Sequence, residues 1–557
     1  MQNKQALLRN IIFIFIVAVQ IAICIHYAKY KTNLFVDEIW TFNLANNYYS
    51  PFIGSAAEYM NRWIDSKFWL QVLSVQPGEE FSYGSVFYNQ AQDVHPPLYY
   101  MIIHTVCSFF PQQFSIWFGV VPNLFFFIGT QIILIKISNK LFEDKWIAIL
   151  PCVIYGFSWG GINSVIFIRM YMLLTFFAVF SFFIHMLLWE YYNNYAKLKV
   201  EYLIILFLIT ICGFLTQYYY AVFAFFMFLL LSLSFFIKKD YNAFFKYILM
   251  NVSSLITAIA IFPAFLQQMF SGYRGVEAIN NFYRTQFWDR FKAFIKILND
   301  DMFGELLLFI IILFAIYCII KLILFFAYIR LLKIDEKYII KIQFHKLEIE
   351  YSLEFSQKDL VFIGIFVIVS GVFLVTVKIA PFLENRYIYI LYPFISLLIF
   401  KCFYSLVYNI LKTKIISIVL VLLFITISCI NMYNADNLKF SGAWKNYKNI
   451  SRILKEEYPG INGIFVATNN EWHPSISQII VFSETKQTFF MTVKDISMLN
   501  DILVDYQKKH EAILIYMTYH IKDKTKIINE ITENTVYKHY KEIDSNHGKT
   551  FLFTKSV

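Results

Sequence analysis

Residues 35–45 read FVDEIWTFNLA and come closely after a long apolar run, so Asp37 and Glu38 stand where that run meets water. A carboxylate at such a boundary is partly desolvated yet within reach of a soluble acceptor. That is what a general base needs when a hydroxyl must lose its proton during group transfer. The same pair would also serve as a boundary anchor beside Trp40 in an aromatic belt. Residues 92–100, QDVHPPLYY, place Asp93 and His95 ahead of a Pro-Pro step. The first proline restricts His95 to extended geometry and Pro97 prefaces a helix start, which fixes a polar group relative to the membrane. A purely structural donor is the plainer reading of one histidine. The spacing of Asp37, Asp93 and His95 gives no support to a metal site, and no metal or cofactor is expected.

Charge inside apolar text supplies further candidates. Arg169 lies in VIFIRMYMLL, where an unpaired guanidinium is costly and must face a cavity, an anion or the interface. Lys378, Glu384 and Arg386 cluster in TVKIAPFLENRYIYILYPF, with Tyr387 directly after the arginine. Cations of this kind suit a phosphate by charge and hydrogen-bond geometry, although Arg386 could simply pair with Glu384. Gln217 and Tyr218 open TQYYYAVFAFF, a hairpin between two apolar runs. The long segment 263–300, with Tyr273, Arg274, Glu277, Tyr283, Arg284 and Arg290, has the length of a lid or acceptor-binding loop.

The elements that must position these groups are membrane spans. Of 557 residues 59% are hydrophobic, 20% aromatic and only 15% charged, against about a quarter charged in soluble chains. The apolar residues fall in long runs, so they mark spans and not one enlarged core. The net charge of +10 arises from lysines in short linkers, where topology explains it without a nucleic-acid partner. Cysteines 24, 107, 152, 212, 318, 402 and 429 lie in or beside apolar runs without a CxxC, which excludes a disulfide framework.

Lys4 and Arg9 before the first run put the N-terminus in the cytoplasm, and residues 30–95 then form a large outward loop. In that loop AEYMNRWIDSKFWLQVL is amphipathic, and Trp63, Phe68, Trp69 and Leu70 are expected along the interface. The stretch 97–110 is short and is expected to lie in or dip into the outer leaflet, while 114–137 crosses. Further spans are expected near 146–165, 168–189, 201–217, 219–237, 244–262, 303–329, 360–377, 387–409 and 415–430, about eleven in all. The odd number leaves the tail outside. Residues 1–430 therefore form the membrane domain, and 431–557 a small extracytoplasmic α/β domain with strand-like runs INGIFVAT, SISQIIVF, TFFMTV, EAILIYM and TFLFTK.

In order and spacing, DEIW at 37–40, DVHPPLYY at 93–100, IRMYML at 168–173, TQYYYAVF at 216–223 and RYIYILYPF at 386–394 resemble the membrane glycosyltransferases of the GT-C type. The similarity is to the protein O-mannosyltransferase and aminoarabinose-transferase superfamily, glycosyltransferase family 39, and spans roughly the first 430 residues. It implies a polyprenyl-phosphate sugar donor, a lipid, glycan or protein hydroxyl of the cell envelope as acceptor, and inverting transfer on the extracytoplasmic face of the inner or plasma membrane. By this resemblance Asp37, with Glu38 beside it, is the catalytic acid–base position. Asp93, His95, Arg169, Gln217, Tyr218, Lys378, Arg386 and Tyr387 form the substrate site, with Arg386 near the lipid phosphate. The family often has histidine where this chain has Gln217, so no acid–base role falls there. Two other classes share the spans: a transporter or flippase of a lipid-linked saccharide, and a non-catalytic envelope assembly protein. The first calls for charges along a path through the bilayer, whereas here they gather on one side.

Overall fold

A computed structural model describes residues 2–308 other than 30, 32, 33, 53–55, 284 and 285. It further describes residues 310–312, 319, 357–411, 418, 419, 422, 423, 425–427, 430, 450, 452–468, 476–544 and 548–555. Within these, the chain is a polytopic helical bundle with a mixed β-sheet domain at its C-terminal end. Six helices are long and apolar enough to cross a membrane: Lys4–Lys29, Trp117–Leu141, Tyr171–Tyr195, Tyr219–Ile237, Tyr241–Ile261 and Gln357–Ile379. A seventh crossing results if Ile147–Phe157 and Trp159–Ile166, bent by 57°, form one broken span. Ser158 makes that break: its backbone is extended and its Oγ accepts the Gly161 N–H at 3.0 Å, capping the second half. Gly160 in the same half has the Tyr392 ring where a side chain would stand, which brings the start of helix Tyr392–Leu411 close against it.

Leu98–Ser108 is an 11-residue helix, as short as the sequence suggests. The expected full span at 201–217 is instead the 15-residue helix Val200–Phe214. At 1.5 Å per residue it reaches about 22 Å, less than a hydrocarbon core. The spans expected near 303–329 and 415–430 fall largely or partly outside the described residues.

The sheet has the order β1-β3-β2-β4-β6-β5, with β1 Arg62–Asp65, β2 Gly463–Ala467, β3 Gln487–Thr492, β4 Ala512–Thr518, β5 His539–Asp544 and β6 Gly548–Thr554. The parallel centre β3-β2-β4 is flanked by antiparallel neighbours. Its first strand comes from the first loop, about 400 residues earlier in the chain, and pairs Arg62 with Phe490 and Asp65 with Gln487. An open edge on β3 is thereby closed. The amphipathic segment read as interfacial is this docking element. Trp69 is buried, its ring 5.3 Å from Phe482 and 5.6 Å from Phe490, while Trp63 packs on Phe489 at 5.3 Å. The run SISQIIVF also differs: Ile479–Glu484 is helical. A short run buried on every side carries no period that distinguishes strand from helix.

Candidate active site

Three helices begin at one cavity: Val36–Asn46, Tyr171–Tyr195 and Tyr219–Ile237 each bring first-turn or closely preceding residues to its wall, and the segment Gln92–His95 ahead of Leu98–Ser108 adds to it. Their N-terminal N–H groups favour negative charge there. The cavity measures 680 Å³, and Asp37, Asp93, His95, Arg169, Arg274 and Arg386 all line it. Apolar side chains complete the wall, among them Val222, Met269, Ile279, Phe282 and Ile379.

Asp37 and Arg386 form an ion pair across 349 residues of sequence. The arginine is 9% exposed and the carboxylate 31%, so the acidic partner is the one open to the cavity. Burial pushes the Asp37 carboxyl up, but Arg386, then Arg169, His95 and Arg274, outweigh it and hold it below the usual carboxylate range. Arg386 sits in the short turn Asn385–Tyr387, its guanidinium 5.4 Å from the Tyr387 ring and 5.8 Å from that of Phe35. These faces hold the cation in place. Its Nε is buried without an acceptor among the described residues.

Arg169, 4% exposed, lies in the turn before Tyr171. Its Nη1 donates to the Asp37 carbonyl at 3.0 Å, Thr41 Oγ1 at 3.1 Å and Tyr100 Oη at 2.9 Å, and Nη2 stands 3.3 Å from His95 Nε2. His95 Nδ1 is 2.8 Å from Asp93 Oδ2. Gln217, Tyr218 and Tyr387 also line the cavity. Tyr218 donates its phenol to Gln268, whose amide in turn donates to the carbonyls of Gln90 at 2.7 Å and Asp93 at 2.8 Å. Helix Ala264–Phe270 is thus tied to the segment that carries His95.

Two candidates stand elsewhere. Glu38 is fully buried, and its carboxylate pairs with Lys31 at 2.7 Å, accepting the Ile168 N–H at 2.7 Å and the Phe35 N–H at 2.8 Å. Consecutive helical residues do not share a face, so Asp37 meets the cavity and Glu38 meets the core. Lys378 is likewise off the cavity, its ammonium over Phe287 at 5.3 Å and Phe282 at 5.9 Å, while the next residue, Ile379, lines the wall. Replacing Glu38 with alanine is expected to cost about 3–5 kcal/mol, because the buried ion pair with Lys31 then loses its negative half. Thermal unfolding of Glu38→Ala beside the double variant Lys31→Met, Glu38→Gln checks this. The double variant should recover most of the loss, and an undiminished single variant would contradict the assigned role.

Residues absent from the sequence-derived set also line the cavity: Tyr171, Tyr219, Gln268 and Arg274. Arg274 stood out only as part of a long loop; it pairs with Glu277 at 2.6 Å and lies 5.0 Å from the Phe382 ring. Tyr171 and Tyr219 lie inside the quoted motifs IRMYML and TQYYYAVF, whereas no local pattern marks Gln268. Among the described residues no three His, Cys, Asp or Glu side chains converge as a metal site requires.

No family model and no curated protein matches the chain. A search of solved structures matches the crystal structure of ArnT from Cupriavidus metallidurans in the apo state. The identity is 10% and the TM-score 0.41, with 97% of this chain and 98% of that chain covered.

Proposed function

We propose that the chain is a GT-C-type glycosyltransferase, moving a sugar from a polyprenyl-phosphate donor to a hydroxyl of a cell-envelope lipid, glycan or protein. The observation that carries this reading is the meeting of Asp37, His95, Arg169 and Arg386 around one cavity. Arg169, Arg274 and Arg386 in one wall suit the anionic phosphodiester of such a donor. The apolar wall residues suit an isoprenoid chain.

In this mechanism Arg386 and Arg169 hold the donor phosphate. The acceptor oxygen attacks the anomeric carbon as its proton passes to Asp37 Oδ. The bond from that carbon to the phosphate oxygen breaks, and the lipid phosphate leaves with its added charge held by the guanidinium groups. Phosphate at Arg386 also offsets the charge that depresses the Asp37 carboxyl, which makes it a better base once the donor is bound. One in-line displacement inverts the anomeric configuration. Among the described residues Asp37, Asp93, His95, Arg169, Arg274 and Arg386 gather at one cavity, which favours an enzyme over a flippase. We place the reaction on the extracytoplasmic face of the inner or plasma membrane, with the N-terminus cytoplasmic and the C-terminal domain outside.

The test is a membrane assay with a panel of polyprenyl-phosphate sugars and envelope acceptors, the products read by mass and anomeric configuration. Transfer with inversion is expected. Retention would overturn the single displacement, and no transfer from any polyprenyl-phosphate sugar would overturn the function.

A further inference from the structure

An aspartate–histidine pair on a cavity wall invites reading as a general-base dyad, but the hydrogen bonds of His95 leave neither ring nitrogen open. A guanidinium has donors and no acceptor. With Arg169 Nη2 3.3 Å from His95 Nε2, that nitrogen must present its lone pair to the arginine. The ring proton then resides on Nδ1, 2.8 Å from Asp93 Oδ2, where the carboxylate accepts it. The backbone supports the same arrangement: Pro96 and Pro97 come directly after the histidine, and Gln268 holds the Asp93 carbonyl at 2.8 Å.

Arg169 is therefore gripped from two sides. Three oxygens take its Nη1, and the imidazole takes Nη2. Its Nε is buried without an acceptor among the described residues. We propose that Asp93 and His95 act on the reaction through Arg169, as positioning residues: the imidazole is a fixed acceptor that sets the orientation of the guanidinium toward a phosphate-bearing substrate. This rests on the transferase reading for what Arg169 grips, though not for the hydrogen bond itself.

The arrangement carries a pH signature. The charged groups facing His95 are Asp93 on its own segment, Arg169 from the turn before Tyr171, and Asp37 from the first loop, with the Tyr100 ring 6.5 Å away. Burial and Arg169 push the imidazole down, and Asp93 and Asp37 offset this only in part, so it is neutral at pH 7 and gains a proton only below the usual histidine range. A second ring proton would set N–H against N–H at Arg169 and release the grip.

The experiment uses the full chain in lipid nanodiscs, with histidine labelled at both ring nitrogens. The His95 signals are assigned by their loss in His95→Gln. At neutral pH the proton should be on Nδ1 and Nε2 should be bare; a proton on Nε2, or an imidazolium, overturns the proposal. Kinetics give a second readout. The glutamine oxygen of His95→Gln reaches the Nε2 position, whereas His95→Asn reaches only the Nδ1 position. The first should exceed the second by about tenfold or more in kcat/KM, mainly through donor KM, since one hydrogen bond to a charged group is at stake. Wild-type transfer should decline on acidification below the usual histidine range, and His95→Gln should lack that decline. Equal losses in both variants, confined to kcat, would mark a general base and overturn the proposal. If wild type transfers nothing from a polyprenyl-phosphate sugar, the function fails while the nitrogen spectrum still decides the hydrogen bond.

Discussion

Asp37→Asn should reduce kcat for sugar transfer by about 10²–10⁴, the range expected when a positioned general base is removed, while leaving donor KM unchanged or lower. The two effects have separate origins. An amide cannot take the acceptor proton, so the chemical step suffers. The amide also no longer competes for Arg386, the group with which the carboxylate pairs, so the phosphate meets a freer cation. Steady-state rates on the purified protein in nanodiscs, with membrane insertion verified, would check this. Transfer at the wild-type rate would remove Asp37 from the role of base.

Arg386→Ala should be comparably damaging, with kcat/KM falling by about 10²–10³, the size of effect seen when one preorganised donor to a developing anion is lost. Its pH dependence has a definite sign. Arg386 is the chief influence holding the Asp37 carboxyl below the ordinary carboxylate range against burial. Without it the carboxyl rises, so the acid limb that belongs to Asp37, read in the His95→Gln background where the histidine decline is absent, should move to higher pH. Arg386→Lys should keep that limb nearer its wild-type place, because the charge remains. It should still lose affinity, because an ammonium lacks the planar fork that matches phosphate. An acid limb that stays put in Arg386→Ala would show that the ion pair does not govern Asp37. In the folded state the depressed carboxyl also links stability to pH: that contribution is present above the unfolded value and is lost as pH falls through the folded one.

The sequence by itself determined the class of molecule and singled out most of the polar positions that line the cavity. Apolar runs of 19 to 26 residues leave little choice but to cross a membrane. An arginine inside such text must have a partner, which is why Arg169 and Arg386 stood out before any fold was known. Asp93, His95, Gln217, Tyr218 and Tyr387 were legible for a related reason: proline geometry or a turn between spans pins them near helix starts. Adjacent residues were not separable. Asp37 and Glu38, or Lys378 and Ile379, differ by about 100° around a helix axis, and only the packed neighbours decide which faces the cavity.

Contacts distant in sequence were also hidden. The strand Arg62–Asp65 is too short to announce itself, and it gains definition from β3 more than 400 positions later. Gln268 carries no motif, and its part in tying a helix to the Asp93 carbonyl depends on both being placed. Local chemistry is written in residue type and spacing. Which side of a helix meets the site, and which strand closes a sheet, is settled by burial summed over the whole chain, a quantity with no local signature.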